Sequence, residues 1–299
     1  MTMRRLLTLL LLTLLPACDV EFTGQEVILR HDRATDTIDL MLIYDGLISE
    51  DPAEGADAVT RLLDGEREFI VGAWPLHFKL DEWARESRER LADADTSEVE
   101  RKLSASFVEI EERVTSVSSG LFTDEEGALH GWQHFRVRQA TRVIELLNEM
   151  ISWSVLAEVA DGGLEPDDDI DARTIELWTE RASSGLPWFG VDGGRIVIDV
   201  PVSADVGAAT AKQLVLGLAK EMDNVFARLL GALVGDAHAL ALESERLRVE
   251  LRAPNDDRFE WKFRNPEHSF SPGLSEELRQ RGVAVLADMT PDALKNRVR

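Results

Sequence analysis

Apolar and polar residues alternate in several short stretches of this chain and recur every three or four residues in others. That mixture predicts strands and helices together, an α+β class in which antiparallel hairpins pack against long helices. Residues 26–31 and 37–44 flank the polar turn 32–36 and predict a hairpin. Its second arm is almost wholly apolar, the composition of a central strand covered on both faces. Leu76, Phe78 and Leu80 alternate with His77 and Lys79, which predicts another strand. A second hairpin is expected from 107–122 and 128–137 around Asp124–Gly127, and a third from 188–191 and 195–202 around Asp192–Gly194. The fourth has the plainest pattern. Leu247, Val249 and Leu251, then Phe259, Trp261 and Phe263 across the turn 254–257, alternate with Arg and Glu, as in a sheet with one wet face.

Helical spacing marks the remaining segments. A short helix is expected over 56–63 after the breaker Asp51-Pro52, and a highly charged, solvated one within 81–103. Over 139–160, Val143, Ile144, Leu147, Met150, Ile151 and Val155 form one stripe, widened by Leu146, Trp153 and Leu156, which predicts a deeply buried helix. A helix over 172–183 follows, and Ser203 caps a long one running to about residue 234. Two short helices are expected after Pro272, the second with Thr290 as cap and Pro291 in its first position. The breaker- and charge-rich run 161–169 divides a subdomain 26–162 from a subdomain 163–299; the alternative is one domain, 26–299. Both halves run hairpin, then long helix. The shared order admits two similar halves or coincidence.

The N-terminus has a different texture. Arg4 and Arg5 lead into a leucine run, 6–15, that ends in Leu15-Pro16-Ala17-Cys18. A charged start, a short apolar core and a small residue before the end make a secretory signal, and the run is shorter than the ~20 residues of a spanning helix. Leu-Pro-Ala-Cys resembles the lipobox of bacterial lipoprotein precursors, although Pro16 stands where that family more often has a small or β-branched residue. The resemblance implies cleavage after Ala17 (signal peptide 1–17), a diacylglyceryl group on the Cys18 thiol and N-acylation of the new terminus by a fatty acid such as palmitate. It also implies a membrane-anchored, extracytoplasmic protein of the bacterial envelope, facing the periplasm or the cell exterior. Asp19 is, in enteric bacteria, a signal for inner-membrane retention; which membrane holds the anchor stays open. Residues 18–25 are expected as a short tether, of which the seven from Asp19 to Gln25 reach about 23 Å at most. The resemblance is confined to the leader.

Composition narrows the chemistry. Cys18 is the single cysteine of the 299 residues, so a lipidated chain has no disulfide, thiolate metal site or cysteine nucleophile. The net charge of −23 becomes −25 once Arg4 and Arg5 leave, and a body this acidic repels phosphate polymers and anionic headgroups. No nucleic-acid partner is therefore expected. The 27 arginines against six lysines are assigned to codon composition rather than to arginine chemistry.

Two clusters are candidates for chemistry. His130, Trp132, His134 and Arg136 would share one face of a strand and form a binding face. The two histidines, about 13 Å apart on a strand, could not ligate one metal ion. Asp167, Asp169 and Asp171 occupy the first three ligand positions of a calcium loop, but Ala172 replaces its glycine and Trp178 its bidentate glutamate. Capping of the following helix is the plainer role for these acids. No nucleophile elbow, phosphate loop or dinucleotide fingerprint is present, and no catalytic residue, metal or cofactor is assigned beyond the lipid on Cys18. Trp74, Trp132, Trp188 and Trp261 are sugar-stacking candidates that serve a core equally well. The expected function is a non-enzymatic binding or interaction module of the envelope, with an envelope protein or a small ligand as partner. The alternative is a carboxylate-dependent hydrolase of envelope polysaccharide.

Overall fold

The computed structural model describes residues 20–63, 67–71, 76–166, 170–215, 239–253, 258–264, 273–287 and 290–295. The fold is α+β, with antiparallel hairpins packed with helices. The chain divides into two compact units, each discontinuous in sequence. One contains Glu86–Ile110 and Ala140–Asp257; the other contains Glu111–Gln139, Arg258–Arg299 and the N-terminal stretch up to Arg85. The boundary expected at 162/163 falls inside the first of these units.

The second unit is built on a six-stranded sheet of order β11-β1-β2-β6-β5-β12. Its strands are β1 (Glu21–Asp32), β2 (Thr37–Ile48), β5 (Val114–Thr123), β6 (Leu129–Arg138), β11 (Arg258–Arg264) and β12 (Val285–Ala287). Neighbours are antiparallel except β12 with β5. The apolar arm takes its expected central place: Met41, Leu42, Ile43 and Tyr44 of β2 are buried in succession, so both faces are covered. β1 begins at Glu21, so residues 21–25 of the expected tether belong to a paired strand. Phe22 and Gln25 are buried there, and burial favours pairing over a free linker.

A small hairpin, β3 (Glu68–Val71) with β4 (Leu76–Lys79), adds to this unit. β3 was not expected, and Leu80 opens helix α2 (Leu80–Ala92) rather than ending a strand. Helix α1 (Pro52–Leu63) starts one turn earlier than its pattern, because Asp51 Oδ1 accepts from the Ala53 and Glu54 amides (2.8 and 3.2 Å). The first stretch expected as strand, 107–111, is instead the end of α3 (Glu98–Glu111). Arg67 Nη1 donates to the Glu111 and Val114 carbonyls (2.6 and 3.0 Å), capping that helix where β5 begins. Helices α7 (Gly273–Gln280) and α8 (Pro291–Lys295) complete the unit as expected, with Pro291 in the first position.

The first unit has a four-stranded antiparallel sheet, β7-β8-β10-β9: β7 (Phe189–Val191), β8 (Arg195–Pro201), β9 (Ala239–Glu243) and β10 (Arg246–Arg252). The fourth hairpin is a correction. β10 pairs with β8 and β9, whereas β11 pairs with β1, so the two plainest strands lie in different sheets. Alternation fixes which face of a strand is apolar, but it is silent about the partner. The expected turn 254–257 lies outside the described residues.

Helix α4 (Ala140–Ala160) is rotated from its expected stripe. Val143, Leu146, Met150 and Val155 are buried and Ile151 is exposed, because Asn148 and Ser152 turn inward. Asn148 Oδ1 accepts from the Trp188 and Phe189 amides (2.5 and 3.0 Å), and its Nδ2 donates to the Phe189 carbonyl (2.9 Å). One side chain thus serves the edge of β7 as a neighbouring strand would. Ser152 Oγ accepts from Trp188 Nε1 (3.0 Å), and the Trp188 ring packs with Val155 and Ala182. Helix α5 (Ala172–Ser184) ends at Gly185 in the left-handed region. Ser203 caps α6 (Ala204–Val215) through the Val206 amide (3.3 Å); the expected continuation to 234 lies outside the described residues. Turn, strand and helix follow one another in both units, yet one sheet has six strands and the other four, in different orders.

Candidate functional site

β6 presents His130, Trp132, His134 and Arg136 to one face of the six-stranded sheet, beside Asp45, Ile43, Met41 and Asp39 of β2. The alternation expected of a strand is therefore present. The four side chains have different fates. Trp132 is buried with Ile28, Met41, Ile43, Phe122 and Leu294. Gly120 lies opposite it on β5, and a Cβ there would overlap the indole ring, so this glycine makes the room for Trp132.

His134 is also buried, and its Nε2 meets Asp39 Oδ1 at 2.9 Å. Arg136 Nε donates to the same oxygen at 2.8 Å, with its side chain 47% exposed. Burial pushes the Asp39 carboxyl up, but the hydrogen bonds from His134 and Arg136 outweigh it and hold the group below its ordinary value. His130 lies nearer the rim, its side chain 12% exposed. Its ring stacks on Phe122 (centroids 4.8 Å apart) between two carboxylates, with Nδ1 3.4 Å from Asp45 and Nε2 3.2 Å from Asp124. Burial opposes its charge; the hydrogen bonds to Asp45 and Asp124 overcome that and raise its pKa. The turn fixes Asp124, whose Oδ1 accepts from the Glu126 and Ala128 amides (3.0 and 2.8 Å). The cluster can hold a proton between two acids. As a set, the four residues divide between core and rim instead of forming one open surface.

The opposite face holds polar residues that the sequence did not single out. Gln25, Tyr44 and Gln133 are buried on β1, β2 and β6. Tyr44 OH donates to Gln133 Oε1 (2.7 Å) and accepts from the Ile70 amide (3.2 Å), while burial pushes its pKa up. Gln25 Nε2 donates to the Ile70 carbonyl (2.6 Å), and Gln133 Nε2 to those of Leu62 and Glu68 (2.7 and 2.8 Å). These amides fasten β3 and the end of α1 to the sheet. Isolated Gln residues in apolar strands were the available signal. Beside them a small apolar recess is lined by Val20, Phe22, Leu47, Val59, Ile70 and Leu121.

Asp171 caps α5: Oδ1 accepts from the Thr174 amide (2.8 Å) and Oδ2 from Ser203 Oγ (2.5 Å). The other two candidate calcium ligands, Asp167 and Asp169, lie outside the described residues, as do Cys18 and Trp74. Trp188 and Trp261, like Trp132, are buried. Among the described residues no group of three His, Cys, Asp or Glu side chains is arranged to hold a metal ion, and no helix is long and apolar enough to cross a membrane.

In the four-stranded unit, Asp199 meets Arg181 and Arg246, and Glu250 meets Arg195 and Arg252. Hydrogen bonds from Arg195 and Arg252 hold the Glu250 carboxyl at about 2. Comparison of the chain with protein-family models, curated proteins and solved structures gives no match.

Proposed function

We propose that the protein is a bacterial lipoprotein, anchored to an envelope membrane through acyl chains on Cys18, whose body is an extracytoplasmic binding or interaction module. The observation that carries this reading is the leader: Arg4-Arg5, the leucine run and Leu15-Pro16-Ala17-Cys18, with the chain's single thiol at the cleavage position. One acyl chain holds a bilayer marginally, whereas two or three hold it stably. β1 starts at Glu21, so such an anchor would leave two residues, Asp19 and Val20, before the first strand. The body would then work at the bilayer surface.

The hydrolase alternative draws no support from five partnered carboxylates of the body. A general acid for glycosidic cleavage needs a raised pKa. Asp39, Asp124, Asp199, Glu26 and Glu250 are all shifted downward by basic partners and hydrogen bonds that outweigh burial. The test is Cys18→Ser followed by cell fractionation and intact-mass measurement. The parent should sediment with membranes, cut before Cys18 and heavier by its acyl groups. The serine variant should keep its leader and carry no acyl mass. Processing at the same bond with unchanged membrane association would end this reading.

A further inference from the structure

The ring of His130 meets two different groups at one nitrogen. Its Nδ1 lies 3.4 Å from Asp45 Oδ1 and 3.4 Å from the Gly46 amide nitrogen, neighbours in β2. These contacts exclude each other. Nδ1 carries one proton or none: an amide N–H can donate only to a bare ring nitrogen, and a carboxylate can accept only from a protonated one. The other nitrogen, Nε2, faces an acceptor, Asp124 Oδ2, at 3.2 Å, and keeps its proton in either state. The surroundings hold the ring in place through the exchange. It stacks on Phe122, and the turn that supplies Asp124 is closed by the Asp124 amide donating to the Ala128 carbonyl (3.2 Å) and the Gly127 amide to the Asp124 carbonyl (3.1 Å). On the other side, Gly46 is at φ 60°, and Thr23 Oγ1 of β1 donates to the Asp45 carbonyl at 3.0 Å. Both partners of Nδ1 therefore sit on a backbone fixed by other contacts.

We propose that His130 is a proton-operated latch between β6 and β2. Charged, the ring ties Asp45 to Asp124; neutral, it keeps Asp124, gives up Asp45 and takes the Gly46 amide on Nδ1 instead. The other charges of this sheet face are engaged elsewhere. His134 and Arg136 share Asp39 about 13 Å along the strand, and Glu26 of β1 is paired with Lys262 of β11 and Lys295 of α8. Glu125 and Glu126, in the same turn as Asp124, are exposed. Asp45 and Asp124 are thus the charges that act on the ring, and both favour its protonated form. Their pull places the exchange above the ordinary 6.5, where a histidine can follow modest changes in acidity. Asp45 is 34% exposed, so water receives its carboxylate on release and the neutral state strands no buried charge. Nothing in the latch depends on the lipid anchor.

The test is nitrogen NMR of the full chain, titrated from about pH 5 to about pH 9. The His130 ring signals are identified by their loss in His130→Gln, and the Gly46 amide by backbone assignment. Nδ1 should lose its proton at a midpoint above 6.5, and the neutral ring should carry its proton on Nε2. The Gly46 amide proton should move downfield along the same curve, because it gains an acceptor as the ring loses its charge. Asp45→Asn should weaken proton binding by the ring at least about threefold. If that variant fails to fold, judged by circular dichroism, the neutral tautomer and the Gly46 amide of the parent decide alone. A neutral ring protonated at Nδ1, a Gly46 amide indifferent to the ring's titration, or an unchanged midpoint in a folded Asp45→Asn chain overturns the inference.

Discussion

The six-stranded and four-stranded sheets share strand chemistry and differ in what covers them. β2 lies between two neighbours with helix and hairpin on one side and the Trp132 cluster on the other, and its sequence is a continuous apolar run. β10 is also internal to its sheet, but only Leu247, Val249 and Leu251 are buried among its hydrophobics, and the intervening arginines meet solvent. In the first sheet the buried carboxylate of Asp39 is paired with His134 and Arg136. In the second the carboxylates are buried while their partners Arg195, Arg246 and Arg252 reach solvent; Arg181, the other partner of Asp199, does not. A polar group therefore has different weight in the two sheets, set by whether its partner is stranded when it is removed.

Core truncation gives the largest contrast. Ile43→Ala should destabilise the six-stranded unit by about 2–5 kcal/mol, and Arg252→Ala should change stability by less than about 0.5 kcal/mol, both read by urea unfolding. Equal effects would mean that β2 is not the buried strand described. Ion pairs come next. Asp39→Ala leaves the buried His134 ring without its acceptor and should destabilise by about 2 kcal/mol, while Glu250→Ala leaves arginines that water already reaches and should lose about 1 kcal/mol. A reversed order would break the comparison.

The smallest effect is in pH dependence. The folded pKa of His130 lies above its ordinary 6.5, so the protonated ring favours the fold. That contribution is present in full below about pH 6.5 and is lost as pH rises through the folded value. Asp39 has the opposite sign: its folded pKa is lowered, so its contribution is present above the ordinary carboxylate value and lost as pH falls through the folded one. Melting temperatures between pH 5.5 and 8.5 should fall for the parent relative to His130→Gln. Parallel curves would show that Asp45 and Asp124 do not hold the ring.

Local turns made three hairpins legible. Asp32–Thr37, Asp124–Gly127 and Asp192–Gly194 join strands that pair with their sequence neighbours, and Gly127 at φ 83° supplies the left-handed position its turn requires. The short strands β3, β9 and β12 carry three to five residues each, too few for a period to emerge. The candidate face was legible as a face. Its burial was not, because Trp132 is enclosed by Gly120, Ile28 and Leu294, which are remote in sequence.

By itself the sequence determined the α+β class and the apolar side of most strands and helices, and it supplied the Arg4-Arg5, leucine-run and Cys18 pattern on which the proposed anchor rests, because each is written within some twenty consecutive residues. Only the tertiary structure decided that β10 and β11 join different sheets, that Trp132 is core, and that Asp199 and Glu250 meet arginines from α5, β8 and β10. Those outcomes depend on which distant segments meet. A period of two specifies a side, and a partner is specified only by the free energy of the whole packed unit.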